Sequence, residues 1–152
     1  MEFKENMNEF LVGIFQDIME IEAQVIITSE FKDISNNDMH IIEKIGLDKP
    51  KSMSTVAKAL SVTTGTLTIA MNALVKKGYV ERVRSKEDRR VVLVSLSEKG
   101  REAYEHHRKF HREMMDATVE KLTEEEKNVL AKGLGNLMTY FEEYKGTIQG
   151  SK

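Results

Sequence analysis

The sequence predicts a mainly α-helical chain with one small β-hairpin wing: a winged helix-turn-helix carrying extra N- and C-terminal helices suited to dimerisation. Three observations carry this expectation. Apolar residues recur at steps of three and four near both ends of the chain, the mark of long amphipathic helices. Within residues 54–96, two short helical segments flank a tight turn. Two stretches that alternate at period two follow, joined by a charged tip.

The first helix is expected over residues 3–27. Phe3, Met7, Phe10, Ile14, Ile18, Ile21 and Val25 form its stripe, and Leu11, Phe15 and Met19 widen it. Ser35 with Asp38 three residues later reads as the start of a second helix, Asn36 to Ile45, stopped by Gly46. Pro50, the only proline, places Asp48-Lys49-Pro50-Lys51 in a loop. Ser54 is the expected cap of a third helix over 55–60. Thr63 or Thr64 caps a fourth that runs to Lys77, where two lysines and then Gly78 make a favourable ending.

Tyr79 to Arg84 and Arg90 to Leu96 read as the two strands of the wing. Ser97 starts a fifth helix reaching Lys121, with Ala103, His107, Phe110, Met114 and Ala117 on one side. Thr123 and Glu126 form a capping box for the last helix, whose stripe is Leu130, Leu134, Leu137, Met138 and Phe141. The tail from Gly146 to Lys152 is expected to fray. We therefore expect one domain over 1–152, with a DNA-binding lobe at 36–96 and dimerisation helices at 3–27 and 98–145. The apolar stripes of the outer helices exceed what one small core covers, so a two-fold homodimer is expected.

Composition narrows the function. The 152 residues carry 23 Lys and Arg against 25 Asp and Glu, a net charge of −2. Cysteine is absent, which excludes disulfides, thiolate metal sites and thiol switches. No run of 18 apolar residues exists, and the N-terminus lacks a basic start followed by an apolar stretch. A cytoplasmic protein without a membrane partner is the expectation.

The charge is unevenly placed. Between Lys76 and Arg90 seven basic residues (Lys76, Lys77, Arg82, Arg84, Lys86, Arg89 and Arg90) face three acidic ones (Glu81, Glu87 and Asp88), so 7 − 3 gives +4 in an acidic chain. On the fourth helix Leu67, Ala70 or Met71, and Leu74 fit the core face. The opposite face offers Thr64, Thr66, Thr68, Ile69 and Asn72. Threonine hydroxyls bond phosphates or bases, threonine and isoleucine methyls pack on thymine, and Asn pairs with adenine. Gly65 permits close backbone approach at a helix N-terminus, itself an anion site. Arg89 and Arg90 at the tip suit a narrow minor groove, and Asp88 is expected to orient Arg90 or cap the turn. Exposed threonines also merely solvate helices, and charged hairpins are often only solvated. The basic wing directly behind the helix-turn-helix favours double-stranded DNA, and two readers about one turn apart favour a pseudo-palindromic operator.

The runs Leu74-Val75-Lys76-Lys77-Gly78-Tyr79-Val80-Glu81-Arg82, Asp88-Arg89-Arg90 and Leu96-Ser97-Glu98-Lys99-Gly100 resemble the MarR family of dimeric winged-helix repressors. The resemblance covers essentially the whole chain. It implies that helix 64–77 enters the major groove and that Arg90 enters the minor groove. Phe31-Lys32-Asp33-Ile34-Ser35, Met39-His40, Gly65-Thr66 and Lys109-Phe110-His111 look similar to FabT-type repressors of fatty-acid synthesis. That resemblance implies a long-chain acyl group on acyl carrier protein as corepressor.

Two features accord with it. Phe15, Ile18, Met19, Phe31 and Met39, with His107, are candidates to line an apolar slot between the first two helices and the fifth. Arg101, Arg108, Lys109 and Arg112 would face an acidic carrier protein. An apolar stripe rich in Met is equally the composition of plain core. Release by a small aromatic or drug-like ligand is the alternative, followed by a zinc-responsive repressor. His107 and His111 stand four apart, a spacing that can ligate zinc, and His106 adjoins them. No cysteine and no dense acidic group accompany them in sequence, so no metal is expected; these two are the only candidates. Among other classes, no glycine-rich phosphate loop, nucleophile motif or paired carboxylates suggest an enzyme. A winged helix used only for protein contacts would tolerate charge reversal in the wing.

Overall fold

A computed structural model describes residues 2–26 and 30–150. In chain order the elements are α1 (Glu2–Ile26), α2 (Asn36–Ile45), β1 (Lys51–Ser52), α3 (Met53–Ala59), α4 (Thr64–Lys76), β2 (Val80–Arg84), β3 (Val92–Leu96), α5 (Glu98–Val119) and α6 (Glu124–Gly150). The expected end of the first helix at residue 27 lies outside the described residues.

Local chemistry explains most boundaries. At α2 the Ser35 hydroxyl accepts from the Asp38 backbone amide, and the Ser35 amide donates to the Asp38 carboxylate, both at 3.1 Å. Two orphan donors of the first turn are thereby satisfied reciprocally. Gly46 ends the helix at φ +70°, in the left-handed region. The Thr63 hydroxyl, not that of Thr64, caps α4 by accepting from the Thr66 amide. Gly78 follows with φ +85°.

Three expectations are corrected. Ser52 rather than Ser54 caps α3: its hydroxyl accepts from the Thr55 amide, while Ser54 lies inside the first turn. Ser52 can do this because it also ends β1 in extended backbone (φ −72°, ψ 154°), so the chain passes from strand directly into helix. Lys51, expected in a loop, belongs to that strand. It pairs antiparallel with Val94, and Ser52 pairs with Leu93, so the wing is the outer part of a three-stranded sheet ordered β1-β3-β2. Finally, α6 does not fray at Gly146 but continues to Gly150, with Thr147 bonding back to the Glu143 carbonyl. Gly146 keeps a helical φ and no proline interrupts the ladder.

Two compact units divide the chain at residue 111. The first has a core in which Ile41, Ile42 and Ile45 of α2, Val56 of α3, and Leu67, Met71 and Leu74 of α4 pack with Val80, Val94 and Leu96 of the sheet. The three α4 positions fall at spacings of four and three, as a helix face requires. Gly100 in the first turn of α5 lies so close to the Tyr79 carbonyl oxygen that a Cβ there would stand 2.1 Å from it. The glycine is what lets α5 start directly against the reader. In the second unit, Thr123 and Glu126 form the expected capping box. Along α6, Leu130, Leu134, Met138 and Phe141 remain exposed, and Tyr140 stacks on Tyr144. The α1 stripe is likewise exposed at Phe3, Phe10, Ile14 and Phe15.

Candidate nucleic-acid interface

The recognition candidates occupy one side of α4. Leu67, Met71 and Leu74 are buried beneath it, while Thr64, Gly65, Thr66, Thr68, Ile69 and Asn72 are all exposed. Ile69 is 76% exposed, an apolar side chain held in water above a well-packed helix. The threonines are partly engaged: Thr63 donates to the Thr66 hydroxyl at 2.9 Å, and Thr68 donates to the Thr64 carbonyl at 2.7 Å. Both hydroxyl oxygens retain acceptor capacity, and the Thr66 hydroxyl retains its proton. Asn72 accepts a hydrogen bond from the Arg82 guanidinium on β2. Pairing of Asn72 with adenine through both its amide atoms would require Arg82 to swing away, toward phosphate.

The wing tip is organised by Asp88. Its carboxylate accepts from the Arg90 amide at 3.0 Å and from Nε and Nη2 of the same side chain at 3.1 and 3.3 Å. The Arg90 side-chain hydrogen bonds, then its backbone amide, hold the Asp88 carboxyl below its ordinary pKa. Arg90 remains 91% exposed, so it is oriented without being buried. Arg84 donates to the Arg89 carbonyl at 3.0 Å, and Ser85 accepts from the Glu87 and Asp88 amides. The expected role of Asp88 in orienting Arg90 is thus met. Lys76, Lys86 and Arg89 are exposed.

Behind the interface lies a network that sequence reasoning missed. Lys77, read only as a cation at a helix end, donates to the Asp33 carbonyl at 2.6 Å and pairs with Asp38 at 3.1 Å. Tyr79 is fully buried and donates to the Asp33 carboxylate at 2.6 Å. Burial first, and then Asp33, push the Tyr79 hydroxyl pKa up, keeping it a donor. Lys99 covers the Tyr79 ring 4.3 Å from its centroid. The segment before α2 is therefore tied to the end of α4 and the start of α5. A buried Tyr beside a Gly was the available signal, but Asp33 lies 46 residues away and its pairing is tertiary.

The candidate ligand residues are not gathered around one open slot. Phe31 and Met39 are sealed in the core, 4% and 1% exposed, and Phe31 packs against Tyr79 and His106. Phe15 and Met19 stand exposed on α1, and Ile18 is half-buried. The apolar stripe of α1 is continuous in sequence, but the side of α1 that meets α5 near its end carries Glu22. That carboxylate bonds His107 and lies 3.1 Å from His111 Nε2. His107 is 1% exposed and its Nδ1 is 2.7 Å from Glu43 of α2, with no well-aligned hydrogen-bond partner there. Burial pushes the His107 pKa down, but the adjacent carboxylates of Glu43 and Glu22 outweigh it, so the net direction is up. No dense acidic group accompanies the histidines in sequence, but in space the carboxylates of Glu22 and Glu43 meet them.

Residues 25–107 match the family of transcriptional regulators described as SarA/Rot. The chain belongs to that family, of the MarR/SarA winged-helix type. It is 42% identical to FabT of Streptococcus pneumoniae, whose structure was solved in complex with DNA; the match covers 93% of this chain and 99% of that one, with a TM-score of 0.84. An uncharacterised HTH-type transcriptional regulator of Bacillus subtilis, YpoP, is 33% identical over 75 residues, 49% of this chain and 53% of its own. The chain thus spans about half the length of the first curated relatives it matches. ZitR, a transcriptional regulator of Lactococcus lactis, is 28% identical over 93% of this chain and 90% of its own. The family consists of regulators rather than enzymes. No described helix is long and apolar enough to cross a membrane.

Proposed function

We propose that the protein is a homodimeric, sequence-specific DNA-binding repressor of fatty-acid biosynthesis genes, with long-chain acyl-acyl carrier protein as corepressor. The observation that carries the DNA reading is the joint display of the α4 face and the Asp88-held Arg90 on one lobe whose stretch from Lys76 to Arg90 is +4 in an acidic chain. FabT of Streptococcus pneumoniae, alike over nearly its whole length and bound to DNA, supports it.

In this reading Thr64, Gly65, Thr66, Thr68, Ile69 and Asn72 meet the major groove, with Ile69 against a thymine methyl. Lys76, Arg82, Arg84 and Lys86 neutralise phosphates, while Arg89 and Arg90 reach the minor groove. The exposed stripes of α1 and α6 are each covered by a second copy, which sets two readers about 34–36 Å apart on a pseudo-palindromic operator. An acyl chain acts by binding the DNA-competent arrangement more tightly than the incompetent one.

The test is a titration of a fluorescent duplex, selected from random DNA by the protein, in the presence of long-chain acyl-acyl carrier protein. Tightened binding is expected with the acylated carrier and not with the bare carrier. Unchanged affinity across the titration removes the corepressor while leaving the DNA reading to the duplex alone.

A further inference from the structure

We infer that Arg82 sets the base that α4 reads at Asn72, turning that position toward guanine and away from adenine. The inference rests on the DNA reading above, in which both residues face the duplex, and adds a base preference which that reading does not contain.

Two different elements bring the side chains together. Asn72 follows Thr68 and Ile69 by one turn of α4, so it shares their exposed face. Arg82 stands opposite Val94 in the β2–β3 pair, and directly opposed residues of an antiparallel pair project to the same side of the sheet. Val94 is fully buried in the core that includes Leu67, Met71 and Leu74 of α4. Arg82 therefore extends from the α4 side of the sheet, and its guanidinium donates to the Asn72 side-chain oxygen. Both side chains are exposed, so the pair lies on the surface that DNA would meet.

The chemistry of the pair fixes what it can read. A guanidinium has donors only, so the amide turns its oxygen toward Arg82 and its nitrogen away. An unrestrained Asn reads adenine with both atoms at once: Nδ2 donates to N7 while Oδ1 accepts from the N6 amino group. Here Oδ1 already accepts a guanidinium N–H, and an adenine amino group approaching it meets a positively charged donor. Guanine instead presents two acceptors, N7 and O6, side by side on its major-groove edge. Either can take an Nδ2 hydrogen, and the neighbouring positive charge favours both. Arg82 has five N–H donors and uses one on Asn72, which leaves the others for a phosphate. Arg82 is thus a positioning residue for Asn72 as well as a source of charge. Because the amide is held before DNA arrives, less side-chain freedom is lost on binding.

The test is enrichment of random duplexes by the whole chain as wild type, Asn72→Ala and Arg82→Ala, with the bound pools sequenced. Asn72→Ala should relax one position in each half-site, which identifies the base that residue reads. At that position the wild type should favour guanine over adenine about 10-fold. Arg82→Ala frees Oδ1 and should reverse the order in favour of adenine. Loss of its charge weakens all sequences alike and leaves this ratio readable. The three proteins should share one melting temperature, since both side chains are exposed. Adenine favoured by the wild type, an unchanged ratio in Arg82→Ala, or no position relaxed by Asn72→Ala would each overturn the role of Arg82 and leave the DNA reading intact. Enrichment of no sequence by the wild type would remove both.

Discussion

Tyr79 donates its hydroxyl proton to the Asp33 carboxylate across 2.6 Å, joining the end of the recognition unit to the segment that enters α2. Lys77 grips the backbone of the same Asp33, so two side chains from the short stretch that follows α4 anchor at one residue. The reader is thereby held from behind, where no DNA would lie.

Tyr79→Phe should lower stability by about 1 kcal/mol at pH 7, the ordinary worth of one such bond with an exposed acceptor. The Tyr79 hydrogen bond, against a smaller opposing effect of burial, holds the Asp33 carboxyl below its ordinary 3.8. A depressed carboxyl contributes stability that is present above the unfolded pKa and lost as pH falls through the folded one. The gap between wild type and Tyr79→Phe should therefore be constant near neutrality and narrow below pH 3.8. Urea denaturation at several pH values measures it.

Gly100→Ala should cost about 3 kcal/mol or prevent folding, because the added carbon meets the Tyr79 carbonyl at 2.1 Å and backbone must move. Gly65→Ala, with open space at its Cβ position, should leave the melting temperature nearly unchanged while testing backbone approach to DNA. Thermal melting of the two variants separates packing from recognition.

Ser61, in the turn between α3 and α4, holds φ at +54°, a left-handed conformation costly for a residue with a Cβ. Ser61→Gly should stabilise the protein by about 0.5–1 kcal/mol. The check is the denaturation midpoint at unchanged slope.

What the sequence made legible was what short-range chemistry controls. Ser35 with Asp38, Thr123 with Glu126, and Gly78 after two lysines each announce a boundary through partners within four residues. The α4 face could be sorted because burial follows helical period there. Lys51-Ser52 could not be read as a strand, since two residues carry no alternation and their partners, Val94 and Leu93, are 43 and 41 positions away. Glu22 offered no hint of its histidines, 85 and 89 residues distant, nor Asp33 of Tyr79. In the interface, exposure was foreseen for Asn72 and Arg82 but their mutual bond was not, because it crosses from helix to strand.

The wing separates specific contact from general attraction. Asp88→Ala should weaken operator binding less than Arg90→Ala does, since it releases the orientation of Arg90 but keeps its charge. Lys76→Ala should weaken binding evenly across sequences and reduce the salt slope by about 1. Competition between operator and unrelated duplex distinguishes these effects.

The most direct test of the account is the affinity of wild type and of an Arg89→Glu, Arg90→Glu variant for one selected operator, by fluorescence anisotropy across a salt series. The account predicts tight, salt-dependent binding by the wild type and a loss of about 100-fold or more in the variant, with its melting temperature intact, in keeping with removal of several phosphate and groove contacts. Equal affinity of the two proteins for that operator would contradict it.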